Sequence, residues 1–337
     1  MNKKRNIFLI ILAFIVSTFF AIILTNYYIN EKQKELLNSI YETTHKNIFE
    51  KTQNLINDKQ NTSLAIAISL SKDETLYTHL KNRDFEKLNY VQIAKLIETN
   101  SKYKNIWIQI LDSNLNSVYR SWTNIRGSSN FRPDLKKVEA LKNISTSISA
   151  GLFNIGIRAR TPIFDENNNF YGALEVVTHF DSITEDLVKN NISPVVIGDK
   201  SIRKNLTNPL LSKLFIDDYY IANENVDMNL YNYIKENGVE KYINIDKFII
   251  ENGYLISKYP LFDENKKNLA YIINFMELKS INLENIKHIK IQTTLGTVIA
   301  LIILFTAILV YYLRDIKYQN SKNKILLNSQ PNIVIIT

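Results

Sequence analysis

Two stretches of this chain are too apolar to be left in water. Ile7–Thr25 (IFLIILAFIVSTFFAIILT) runs nineteen residues without a charge, and Thr293–Leu313 (TTLGTVIALIILFTAILVYYL) runs twenty-one. At about 1.5 Å of rise per helical residue, each is long enough to cross a hydrocarbon core of about 30 Å. The rest of the fold has to be arranged around that pair. Lys3, Lys4 and Arg5 precede the first stretch, which runs from Thr25 into NYYINEKQKE without a short small-residue cleavage site. It is therefore expected to stay as an anchor rather than be removed. Tyr27, Tyr28, Tyr311 and Tyr312 fall where interfacial aromatics belong.

A net charge of +8 raises the question of nucleic acid, and its location answers it. Residues 1–6 carry +3, and residues 314–337 carry another +3 from Arg314, Lys317, Lys322 and Lys324 against Asp315, which leaves +2 for everything between. The basic excess flanks the apolar stretches, as the positive-inside rule requires, so both termini are expected in the cytoplasm and no nucleic-acid partner is implied. Residues 29–292 are then placed outside a two-pass membrane protein, periplasmic or extracellular. Two spans and a Lys/Asn-rich outer segment suit a bacterial inner (cytoplasmic) membrane. There is no cysteine, hence no disulfide framework.

The outer segment repeats itself. PIFDENNNFYGALEVVTHFDSI (Pro162–Ile183) and PLFDENKKNLAYIINFMELKSI (Pro260–Ile281) agree at 7 of 22 positions at a constant offset of 98. Each reads as a strand, an Asp-Glu-Asn turn and a second strand, hence two related modules in tandem. Before the first module, Asn30 to about Leu70 places Leu37, Tyr41, Thr44, Ile48 and Leu55 at spacings of three, four and seven without Pro or Gly. One long helix is expected there, with Leu37, Tyr41, Ile48 and Leu55 as a contact face for a second copy. Further expectations are a helix over 85–103, a hairpin over 105–122 and strands at 152–164 and 170–180. A short helix capped by Asp181 should follow. In the second module a strand is expected at 193–198, helices near 209–215 and 230–236, and strands around 242–249, 254–262 and 268–275.

Chemistry-bearing motifs are few. Four scattered histidines, no HExxH, no G-x-S-x-G, no P-loop and no Rossmann fingerprint leave no catalytic site, metal or cofactor implied. One constellation stands out: Arg120, Arg126, Arg132, Arg158 and Arg160 crowd into 41 positions. Arginine's planar fork suits bidentate capture of an anion. Arg158 and Arg160 fall on one face of their strand, and with Tyr119 and Trp122 the cluster could line a small anion pocket. The structural alternative pairs Arg158 or Arg160 with Glu175 on the adjacent strand and ties Arg126 or Arg132 to loop carbonyls.

A long helix leaving a first span, two tandem modules, a second span directly after them, and the run VYRSWTNIRGSSNFRPDL (Val118–Leu135) followed by GIRARTPIFDENNNFYGALEVVTHF together carry a family likeness. Over residues 30–290 the chain resembles an extracytoplasmic double Cache sensor, of the branch described as the double sensory domain of two-component sensor kinases. The resemblance implies an α+β fold with a long N-terminal stalk helix and two tandem PAS-like antiparallel-sheet modules between two transmembrane helices. It implies a cytoplasmic terminus (1–6), a first span (7–28), a sensor (29–292, with modules at about 71–190 and 191–290), a second span (293–313) and a cytoplasmic linker (314–337). NKILLNSQPNIVIIT at the end resembles the first helix and strand of a cytoplasmic PAS domain.

The function so implied is a homodimeric membrane receptor that binds a small-molecule ligand, with the arginine cluster, Tyr119 and Trp122 as candidate contacts. A histidine kinase is the first choice of output, with a diguanylate cyclase or chemoreceptor as the alternative and a non-signalling envelope protein as a second. Amino-acid-binding members share Arg-x-Trp-Tyr with an earlier Tyr. Here Arg120-Ser121-Trp122 matches, while Thr123 and Leu115 stand at the two tyrosine positions, which turns the expectation toward small carboxylates or other anions.

Overall fold

Where helical spacing gives way to alternation, the chain turns from helix to sheet, and it does so twice. The computed structural model describes residues 2–129 and 132–328; the strand expected at Ile333–Ile336 lies outside them. In order, the elements of the first module are α1 (Asn2–Ser71), α2 (Leu76–Asn82), α3 (Tyr90–Asn100), β1 (Trp107–Asp112), β2 (Asn116–Arg120), β3 (Gly127–Ser128), α4 (Pro133–Leu141), β4 (Ser145–Ala150), β5 (Ile155–Phe164), β6 (Phe170–Thr178) and α5 (Asp181–Val188). The second holds β7 (Ile192–Gly198), β8 (Phe215–Ile216), β9 (Tyr219–Ile221), α6 (Met228–Asn237), α7 (Val239–Ile243), β10 (Phe248–Glu251), β11 (Tyr254–Phe262) and β12 (Asn268–Glu277), followed by α8 (Glu284–Asn328).

The chain forms two compact units. One gathers the residues up to Glu42 and from Asn282 onward; the other is Thr43–Ile281. In the first unit α1 and α8 are both long and apolar enough to cross a membrane. They touch through the rings of Phe14 and Phe305, 5.4 Å apart, and through the hydroxyls of Thr25 and Thr297 at 3.0 Å.

The second unit holds two six-stranded sheets in the orders β3-β2-β1-β6-β5-β4 and β10-β11-β12-β7-β9-β8, every pair antiparallel. In both, the first strand (β1 or β7) pairs with the last (β6 or β12), followed by β5 and β4 or by β11 and β10; on the other side the order differs, β2 then β3 beside β1 but β9 then β8 beside β7. The 98-residue repeat holds atom by atom. Asp165 Oδ1 accepts from the amides of Asn167 and Asn169, and Asp263 Oδ1 from those of Asn265 and Lys267. Asn168 and Lys266 adopt φ of 62° and 61°, and the register shifts at Ile163/Phe164 and at Leu261/Phe262.

Alternation gives each sheet two unlike faces. In the first, Ile108, Ile110, Ala159, Leu174 and Val176 pack against Ala67 of α1 and against α2 and α3. In the second, Val195, Ile197, Ile256, Ile273 and Phe275 pack under α6 and α7, while Asn274 on the opposite face donates to Thr52 of α1 at 3.3 Å.

Several expectations need correction. The helix expected over 85–103 is a single turn at 86–88 followed by α3, and no helix forms at 209–215, where Phe215 begins β8. Residues 242–249 divide between α7 and β10. Asp181 does not cap α5; its carboxylate reaches the second module and accepts from the amides of Glu224 and Asn225 at 2.8 and 3.4 Å. Of the four α1 residues expected to meet a second copy, two are buried inside the chain. Ile48 is 2% exposed and Tyr41 is also buried, while Leu37 and Leu55 are half-buried.

Candidate functional site

The other face of the first sheet is polar, and strand register makes it so. Arg120, Gln109, Glu175, Arg160 and Ser145 are successive cross-strand neighbours on β2, β1, β6, β5 and β4. One step along the strands, Trp107, Val177, Arg158 and Ser147 form a second row. Arg132, α4 and the 151–154 turn lie against this face, and Arg120, Arg132, Arg158 and Arg160 are each at most 5% exposed.

Two carboxylates organise these four guanidinium groups. Glu175 accepts from Arg132 at 2.6 and 2.9 Å, from Arg160 Nε at 3.1 Å and from Gln109, while Arg158 Nη1 lies 3.7 Å away. Asp134 takes Arg132 at 2.5 and 3.2 Å and also bonds Arg160 and, at 2.9 Å, Ser149. Burial pushes the Glu175 carboxyl up, but Arg132 and then Arg158 outweigh it and hold it at about 2. Asp134 is likewise lowered, by Arg132 and Arg160 against its burial. Arg132, raised by the same two carboxylates, is a settled member of the ion-pair cluster.

Arg120 and Arg158 are in a different position. Arg158 donates to Asn154 Oδ1 at 2.9 Å and to the Ser149 carbonyl at 3.4 Å; Arg120 donates to Gln109 Oε1 at 3.1 Å and to the Ile125 carbonyl at 2.6 Å. Burial, reinforced by neighbouring arginines, pushes Arg158 down to about 9 and Arg120 to about 10. Both stay charged at neutral pH. Four guanidinium groups against two carboxylates leave this buried cluster with a surplus of two positive charges.

A cavity of about 20 Å³ lies where that excess is greatest, lined by Arg120, Arg158, Trp122, Phe153 and Asn154, with no carboxylate in its wall. Two further donors have no partner, Asn154 Nδ2 and Trp122 Nε1. The bond from Arg158 to Asn154 Oδ1 fixes the amide so that its NH₂ is the free end. Gly151 permits the arrangement, since a Cβ there would sit 2.8 Å from Arg158 Nη2. Trp122 stacks on Trp107 at 4.6 Å and meets Phe153 edge-on, closing the cavity with aromatic surface. Its lining combines donors, positive charge and apolar walls around a space of about the size of one water molecule.

Not all the candidates come together here. Arg120, Trp122, Arg132 and Arg158 line the cavity; Arg160 is taken up by Glu175 and Asp134. Tyr119 points to the opposite sheet face, against Phe85 and Tyr90. Arg126 is exposed and donates to the carbonyls of Thr123 and Ile125. With Arg83, Phe85 and Trp122 these two line an open groove of about 550 Å³ instead. Asp134, Gln109 and Asn154 carry no local signal in the sequence; they join the site only through tertiary contact.

No protein-family model matches the chain, and no curated protein sequence does. Among solved structures, the sensor domain of the Vibrio cholerae histidine kinase DctB is similar at 14% identity, covering 73% of this chain and 98% of that one with a TM-score of 0.41. The ligand-binding domain of the Campylobacter jejuni chemoreceptor Tlp3, in complex with 4-methylisoleucine, is similar at 17% identity, 73% and 95% coverage and a TM-score of 0.36. The Vibrio cholerae LuxQ periplasmic domain is similar at 14% identity, 68% and 98% coverage and a TM-score of 0.38. The neighbours are sensor domains, and the likeness is too distant to carry a ligand, an output or a site across.

Proposed function

We propose that the chain is a membrane-bound sensory receptor whose first sheet module takes a small anion at Arg120, Arg158, Asn154 and Trp122. The observation that carries this reading is the surplus of buried positive charge beside a donor-lined cavity. An uncompensated buried charge is costly, and a fold retains one where something else supplies the counter-charge. The ligand is a small carboxylate or another compact anion. Residues 7–28 and 293–313 are the spans, residues 29–292 lie outside a bacterial inner membrane with both termini cytoplasmic, and the two sheets are the sensor modules.

Binding shifts a two-state equilibrium that the spans pass to a cytoplasmic output, ranked as a PAS-linked histidine kinase ahead of a diguanylate cyclase or chemoreceptor. An output acting between chains needs two copies, so the receptor is a homodimer that uses a face other than the Tyr41–Ile48 stripe.

The test is a melting series on the full chain in detergent micelles with small carboxylates, amino acids and inorganic phosphate. At a hundredfold excess over Kd a bound anion adds about 2.7 kcal/mol. At least one class is expected to raise the melting temperature; no shift with any of them overturns the anion reading.

A further inference from the structure

The junction between the two sheet modules contains a lysine that lacks a counter-ion. Lys59 of α1 is 2% exposed. Its Nζ donates to Ser182 Oγ at 2.8 Å, at the start of α5, and lies 3.9 Å from the centroid of the Tyr103 ring. No carboxylate among the described residues pairs with it. An ammonium has three N–H groups to place, and here finds one oxygen and one ring face; a neutral amine has two.

The charged and titratable groups around Lys59 come from five places in the fold. Lys102, itself paired with Asp186 at 2.7 Å, repels it, and Tyr103 underlies it. Asp181, Glu185 and Asp186 on α5 attract it. His179, at the end of β6, stays neutral because burial pushes its ring down to about 3. Glu224 of the second module lies against Asp181, and Asp58 of α1 acts on Lys102. Burial first and Lys102 second bring Lys59 down to about 7, in spite of the three carboxylates.

Asp181 is divided between tasks. Its Oδ1 holds the amides of Glu224 and Asn225, and its backbone carbonyl takes the Asn225 side chain at 3.2 Å, so it clamps the loop before α6 onto α5. Its Oδ2 is buried without a partner.

We propose that Lys59 and Asp181 form a proton-sensing switch between the two modules, a second input to the receptor beside its anion. When solvent supplies a proton to the Lys59 amine, the ammonium draws the free Asp181 oxygen toward it. The carboxylate then leaves the Glu224 and Asn225 amides, and the second module loosens from α5. The sign follows from the depressed lysine. The folded state resists the charge, so its penalty is absent above the ordinary 10.5, grows as pH falls and is complete below about 7. Acid therefore favours any rearrangement that brings a carboxylate to Lys59.

The chain has no cysteine, so two can be introduced cleanly. Spin labels at Asn61→Cys and Asn229→Cys, both exposed positions on α1 and α6, report the junction by dipolar distance in the full chain in micelles. Between about pH 8.5 and about pH 5.5, one distance population is expected to give way to a second as pH falls. Lys59→Met is expected to hold the high-pH population throughout, and Asp181→Asn to do the same by removing the charge that moves. A parent with one unchanged distance overturns the proposal, as does a transition that persists in Lys59→Met. If Lys59→Met does not fold, a transition that persists in Asp181→Asn overturns it equally. No ligand enters the measurement, so its outcome is separate from that of the anion site.

Discussion

Glu175 is shared by Arg132, Arg160 and Gln109, with Arg158 just beyond, so loss of its charge strands several buried donors at once. Glu175→Gln is expected to cost about 3 to 5 kcal/mol in denaturant unfolding, the range for breaking a buried ionic cluster from one side. Arg126→Ala, which removes only an exposed side chain bonded to nearby carbonyls, is expected to stay within about 0.5 kcal/mol of the parent. Two lowered carboxyls also set an acid limit. The stability they contribute is present above the unfolded value of about 4.5. It is expected to disappear as pH falls toward 2 through the folded value of Glu175, with Asp134 following the same direction. An acid unfolding curve that is flat from about pH 5 to pH 2 would contradict this.

What the sequence disclosed at this scale was the alternation of Arg158 and Arg160 and the nearness of Glu175. Asp134 stayed hidden because Arg132-Pro133-Asp134 reads locally as an ordinary helix start with proline in the first turn. Asn154 stayed hidden because only the fold shows which end of its amide is free.

The Asp turns are the elements on which the repeat can be tested. Asp165 and Asp263 each accept two backbone amides in the same geometry, so Asp165→Ala and Asp263→Ala are expected to cost about 1 kcal/mol each and to add when combined, since they sit in different sheets. The repeat also has a limit. Gly172 corresponds to Ala270 at the 98-residue offset, yet a Cβ on Gly172 would run into the Leu111 carbonyl oxygen. In the second sheet the small residue lies on the facing strand, where Gly198 pairs with Ala270. Gly172→Ala is therefore expected to destabilise by about 1 to 3 kcal/mol as an overpacked site, although it copies the repeat.

The paired hairpins were readable because hydrophobic alternation and turn residues agree there. Residues 133–150 were not, and the reason lies in β4. STSISA directs serines inward, where Ser147 and Ser149 bond Arg160 and Asp134, so a buried polar layer erased the pattern that marks a strand.

At the scale of the molecule, two apolar helices and two six-stranded antiparallel sheets accompany a buried positive cluster, the input of the receptor proposed above. On that proposal the site is held at the expense of stability and neutralised on binding, so one substitution separates function from scaffold. Arg158→Met removes one positive charge of the surplus, together with its 3.7 Å contact to Glu175, and leaves Glu175 with Arg132, Arg160 and Gln109. Both tryptophans of the chain, Trp107 and Trp122, stack beside the cavity, so their fluorescence reports on occupancy during the same melt. Measured on the full chain in micelles, with and without the anion that most stabilises the parent, Arg158→Met is expected to melt no lower than the unliganded parent and to lose the anion-dependent rise. If it melts lower while the rise survives intact, Arg158 is scaffolding and the site is not an anion receptor.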